Sequence, residues 1–104
     1  MRKAKVYVKG IETGILTEIQ RGKEYIFEYH SEYTGLPVSR TMPIKEKVFK
    51  FSRFPSFFDG LLPEGIQLDG LLKIRKIDKD DYFSQLIAVG DDLVGVVTIK
   101  EVTE

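Results

Sequence analysis

The sequence predicts an α+β fold, a small and mainly antiparallel sheet with two to three helices packed on one face. Three observations carry this. Polar and apolar residues alternate with period two through roughly the first thirty positions, which is the pattern of strands buried on one side. Beyond Ser56 the apolar residues change to helical spacing. A glycine-bounded apolar run, Gly90 to Ile99, then returns to alternation.

The elements follow in order. Ala4, Val6 and Val8 alternate with Lys3, Lys5 and Lys9, with Tyr7 on the polar side, and define a first strand. Ile11 to Gln20 is the second, entered from Gly10. Arg21-Gly22-Lys23 supplies a turn into the third, Glu24 to Tyr29, where Tyr25, Phe27 and Tyr29 share one face and Ile26 takes the other. These three strands are expected to form an antiparallel meander. After Ser31–Gly35 breaks the pattern, Pro37 to Ile44 reads as a short extended piece, held to an edge because Pro37 and Pro43 lack backbone donors.

Ser56 is placed to cap a short helix through Phe57, Phe58, Leu61 and Leu62, which Gly60 and Pro63 keep short. Glu64 to Lys76 reads as a helix with Leu68, Leu71 and Leu72 turned inward. Asp78 stands as N-cap of a third helix, with Asp80 and Asp81 in its first turn and Tyr82, Phe83, Leu86 and Ile87 as its apolar face. Gly90 is expected to end it in the left-handed conformation. Leu93 to Val102 is the final strand, with Val94, Val96, Thr98 and Lys100 alternating against Leu93, Gly95, Val97 and Ile99.

Composition bounds the function. A chain of 104 residues has room for one core, so residues 1–104 are read as a single domain. Sixteen basic side chains balance sixteen acidic ones, which leaves no long-range field for nucleic acid or an anionic membrane. With no cysteine and one histidine, His30, the chain has neither thiolate chemistry nor the ligand sets of structural zinc. Asp91-Asp92 reads as a solvated turn, and the glycines form no phosphate-binding loop. No signal-peptide h-region opens the chain and no apolar run approaches the ~20 residues that span a bilayer, so a cytoplasmic protein is expected. Phe49, Phe51, Phe54, Phe57 and Phe58 crowd into ten positions, and two roles are open to them: core, or the exposed centre of a partner site.

Phe57 to Gly65, FFDGLLPEG, sets two aromatics and a Leu-Leu pair before a Pro-Glu-Gly stop, and GDDLVGVVTI follows from Gly90. In this order, after an N-terminal stretch of strands, the two segments resemble the N-terminal domain of HipA-type serine/threonine kinases, the toxins of bacterial toxin–antitoxin operons. The resemblance covers nearly the whole chain, which is expected to end where that domain ends. It implies that the ATP site, catalytic Asp and metal-binding residues of the family lie outside this chain. It further implies a HipS-like role: a non-catalytic antitoxin, without cofactor, that binds and inhibits a cognate HipA-like or HipT-like kinase, with a helix-turn-helix HipB-like protein as a further member of the complex. Carried onto this sequence, the contact centres on Phe57, Phe58, Asp59, Leu61, Leu62, Pro63 and Glu64. Some split antitoxins direct a Trp at the kinase active site; this chain has none, so that device would require a Phe in its place. Two alternatives stay open: a detached lobe that completes and supports a split kinase, or a self-associating module with no kinase partner.

Overall fold

Alternation in the first strand buries Ala4, Val6 and Val8 completely or nearly so, and the same period continues across the sheet. The computed structural model describes residues 1–93 and 95–102. Its strands are β1 (Arg2–Val8), β2 (Ile11–Gln20), β3 (Glu24–Tyr29), β4 (Val48–Phe51) and β5 (Val97–Glu101). They form one sheet in the order β4-β3-β2-β1-β5, and each neighbouring pair is antiparallel. Three helices follow β4: α1 (Ser56–Asp59), α2 (Gly65–Arg75) and α3 (Tyr82–Val89). The expected α+β architecture is therefore present, with the meander extended at both edges.

Lys9 and Gly10 both take positive φ, at 51° and 79°, as the tight β1–β2 hairpin requires. A bulge near Val6 leaves Thr13 as the extra residue of β2. Its buried hydroxyl donates to the Val6 carbonyl at 3.0 Å and its own carbonyl accepts from the His30 amide at 2.8 Å, so the irregularity is tied to both neighbouring strands' ends by hydrogen bonds. On β3, Tyr25, Phe27 and Tyr29 face inward as expected, each at most 2% exposed. Phe27 packs edge-on against Tyr29 with ring centroids 4.9 Å apart, and Tyr25 packs edge-on against Phe54 at 5.5 Å.

The segment from Pro37 to Ile44 is not a strand. Its one pairing is an isolated bridge between Ser39 and Met42. The Tyr29 hydroxyl satisfies its backbone instead, donating to the Met42 carbonyl and accepting from the Val38 amide at 2.9 Å, and this folds Val38 and Met42 onto the core. The place beside β3 goes to β4, made from residues whose aromatics the sequence had left between core and surface. In Val48-Phe49-Lys50-Phe51 the two Phe alternate inward with period two.

The helices depart from expectation at their ends. Pro55, not Ser56, is the N-cap of α1; Ser56 is the first helical residue and makes no capping bond. Asp81, not Asp78, caps α3, accepting from the Ser84 amide at 3.2 Å. Asp78 instead offers its carbonyl to the buried Gln85 side chain at 3.2 Å. Phe83 and Leu86 are buried and Ile87 packs at the margin of the core, whereas Tyr82 is exposed. The Leu stripe of α2 is only half-buried, and no residue of that helix is buried.

Gly90 ends α3 in the right-handed region, at φ −52°, and leads into a short 3-10 turn, Gly90–Asp92. Close packing accounts for glycine here, since a Cβ would lie 2.2 Å from the Ile99 carbonyl oxygen. The last strand begins at Val97 rather than Leu93, and the expected strand position at Val94 lies outside the described residues.

One ion network joins sheet and helix. Arg2 Nε donates to Glu18 at 2.6 Å, and its two terminal nitrogens reach Asp81 at 2.9 and 3.3 Å and the Ser84 hydroxyl at 2.8 Å. Its guanidinium carbon lies 5.0 Å from the centroid of the Phe83 ring. Glu18, almost wholly buried, also accepts from the Tyr25 hydroxyl and the Gly22 amide. Burial alone would raise both carboxyl pKa values. The hydrogen bonds from Arg2 and its neighbours outweigh it, lowering Glu18 and bringing Asp81 from its ordinary 3.8 to about 2.

Two predictions follow from this packing. Because the folded pKa of Asp81 is depressed, its contribution of about 2 kcal/mol is complete above the unfolded value near ~4 and is lost as pH falls to about 2, and the lowered Glu18 acts in the same direction. Urea unfolding across that window should show a steep loss in the parent protein and a shallower one in Asp81→Asn; parallel curves would contradict the network. Gly90→Ala should destabilise by ~2 kcal/mol in the same assay, although alanine is ordinarily the better helix former by ~1 kcal/mol, because its methyl meets a strand carbonyl.

Candidate partner-binding surface

The motif Phe57 to Glu64 folds as a helix end and a turn. Backbone bonds from Gly60 N to Ser56 O, Leu61 N to Phe58 O and Leu62 N to Asp59 O wind it tightly, at 3.0–3.1 Å. Pro63 then forces an extended break before Gly65, whose φ of 60° opens α2. This places the seven motif residues at different depths. Phe58 is fully buried and packs on Phe27, centroids 5.9 Å apart, so it supports the turn from beneath and has no surface to offer a partner. Phe57 is half-buried, edge-on to Phe58 at 5.2 Å. Leu61 and Leu62 rest on the margin of the core, Pro63 is half-buried, and Asp59 and Glu64 are exposed.

Two residues that the sequence reading passed over extend this surface. Ile66 and Ile74 of α2 are 88% and 81% exposed. With Gly70 they fall at i, i+4 and i+8, a stripe nearly opposite Leu68, Leu71 and Leu72, so α2 is apolar on two sides while resting on the domain by one. The signal was available: the same periodicity that marked the Leu stripe marks a second stripe of Ile66, Gly70 and Ile74.

Of the crowded aromatics, Phe54 and Phe58 are core, whereas Phe49, Phe51 and Phe57 are partly exposed. The latter three line an open cleft of about 430 Å³ between β4, α1 and the Thr41-Met42 bend, with Lys50 and Arg53 also in its lining. Elsewhere, His30 pairs with Glu12 at 2.6 Å, and Asp91 and Asp92 are exposed in their turn. Among the described residues no group of His, Asp or Glu is arranged to hold a metal ion, and no helix is long and apolar enough to cross a membrane.

The surface is thus a tight turn on an aromatic support, continued by a helix with an uncovered apolar stripe. A family model of the HipA N-terminal domain matches residues 4–100. The chain belongs to that family. An uncharacterized protein of Haemophilus influenzae is 33% identical over 101 residues, a match covering 97% of this chain and 93% of the relative. Among solved structures, one described as the N-terminal domain of HipA toxin superposes with a TM-score of 0.78 at 29% identity, over 100% of this chain and 95% of that one. The HipA N-terminal domain thereby accounts for the five-stranded sheet and the helices that carry the turn.

Core and surface roles within the motif should separate in mutants. Phe58→Ala should cost ~3–5 kcal/mol in urea unfolding, a large part of a small domain's stability, while Ile66→Ser should stay within ~0.5 kcal/mol. Equal costs at the two positions would contradict the placement of the surface.

Proposed function

We propose that this chain is a non-catalytic antitoxin that binds and restrains a cognate HipA-like serine/threonine kinase in the cytoplasm. The observation that carries the reading is the uncovered stripe of Ile66 and Ile74 on α2, continuous in sequence with the Leu61-Leu62-Pro63-Glu64 turn. Two isoleucines exposed beyond 80% forgo ~1.5–3 kcal/mol each in water, a gain recovered when a partner covers them. In HipA-type kinases the N-terminal domain packs against the kinase body, and a separate copy would present the same face to a separate kinase. The Haemophilus influenzae relative supports a free-standing form, since the match takes in 93% of it and leaves no room for a catalytic body.

Binding of this kind acts through populations. A protein that binds the restrained state of a kinase more tightly than its active state lowers the active fraction by the ratio of the two affinities. The contact set is Phe57, Asp59, Leu61, Leu62, Pro63 and Glu64 at the turn, with Ile66 and Ile74 added and Phe58 acting from beneath.

Co-expression with a HipA-like kinase from the same genome, scoring growth and co-purification together, tests this. The parent protein should restore growth and co-purify with the kinase. Ile66→Asp and Ile74→Lys should each weaken the complex roughly tenfold or more and lose the rescue, while Lys23→Ala should do neither. Both charges suit their positions, an anion near the helix start and a cation near its end, so folding is preserved. A complex that leaves the kinase toxic, or makes it more so, would identify a completing lobe; absence of a complex would return the surface to self-association.

A further inference from the structure

The sheet carries a second unpartnered feature, the outer edge of β4. The Tyr29 amide bonds to the Lys47 carbonyl, and β3 pairs with β4 through Phe27↔Phe49 and Tyr25↔Phe51. Antiparallel alternation then turns the backbone groups of Phe49 and Phe51 toward β3 and those of Val48 and Lys50 off the sheet. Among the described residues no turn or loop bond reaches the amide or carbonyl of either.

Charge says what would lie there. Although the whole chain is balanced, Arg40, Lys45, Lys47, Lys50 and Arg53 stand against one acid, Glu46, between positions 40 and 53. None of these five cations is in an ion pair among the described residues. Arg53 also lines the open cleft beside the edge, with Phe51 and Phe57, whereas the Lys50 side chain alternates to the opposite sheet face. A second copy of this chain is a poor occupant, because edge-to-edge pairing would bring the same cationic segment against itself.

We infer that the β4 edge takes an extended acidic segment of a partner protein by strand addition, with a large apolar side chain seated in the cleft beside Phe51 and Phe57. Period two supplies the rest of the match. A residue pointing into the cleft is flanked by neighbours pointing to the opposite sheet face, where Lys50 lies, so the fitting segment carries carboxylates on either side of one large apolar residue. Main-chain bonds to Val48 and Lys50 would hold it and the cations would select it. This surface adds to the α1–α2 turn, and the inference does not require the partner to be a kinase.

The test uses the isolated protein, 15N-labelled, with a short capped peptide of Thr and Val in which glutamates flank a single Phe, and its counterpart with lysines in place of the glutamates. The acidic peptide should shift the Val48 and Lys50 amides and slow their hydrogen exchange, leaving Phe49 and Phe51, already bonded to β3, little changed. The lysine peptide should bind roughly three- to tenfold more weakly, the range expected for two exposed ion pairs. Lys50→Glu combined with Arg53→Glu, both exposed positions, should reverse that preference. Equal binding of the two peptides, shifts confined to α2, or no shift at millimolar peptide would each overturn the inference.

Discussion

The placement of Arg2 is the constraint on which the rest depends. Its guanidinium joins Glu18 on the neighbouring strand to Asp81 at the start of α3 and lies over the ring of Phe83. The helix it pins is the one that the other two lean on, since α1 and α2 both make contact with α3, which in turn rests on β5. The hold is firm because the carboxylates are nearly dry: Glu18 is 3% exposed and would be left as an uncompensated buried charge without its cation. A charge pair at one end of the sheet thus sets where a surface built from α1 and α2 can lie.

The domain divides its apolar residues between two tasks. Inward positions of β1 to β5, with Phe54, Phe58, Phe83 and Leu86, form one continuous core in which the aromatic rings meet largely edge to face. In α2, by contrast, no residue is buried, and its two isoleucines are among the most exposed apolar side chains described. Such a helix gains little stability from its own domain, which fits a surface completed by another protein. The buried Phe58 connects the tasks, since it holds the turn whose neighbours face outward.

The three-stranded meander was legible in the sequence because its signal is local: alternation fixes which side of each strand is buried, and Tyr25, Phe27 and Tyr29 fall where that rule puts them. The misses arose where tertiary contacts overrode a local rule. Nothing in Pro37 to Ile44 announces that the hydroxyl of Tyr29 will bond two of its backbone groups and prevent a strand. Nor does Gly90 reveal that it is needed for the approach of Ile99 rather than for a left-handed turn. Three aspartates within four residues, Asp78, Asp80 and Asp81, made the cap ambiguous, and the reach of Arg2 from β1 selects the last. Of the motif expected at the surface, depth was the illegible part: Phe57 and Phe58 are identical residues side by side, and only the helical turn decides which one meets Phe27. The exposure of Ile66 and Ile74 was hidden for the opposite reason, because isoleucine at helical spacing reads as core unless the second stripe is weighed against the first.

The proposed function requires that α2 and the turn before it be incomplete without a partner. Hydrogen exchange of residues 60–76, measured in the free protein and in the presence of a HipA-like kinase of the kind proposed as its partner, tests it most directly. The account predicts fast exchange in α2 of the free protein beside slow exchange in β1 to β3, and marked slowing of α2 when the kinase is present. Protection of α2 in the free protein equal to that of the central strands, or unchanged exchange across 60–76 in a kinase complex, would contradict it.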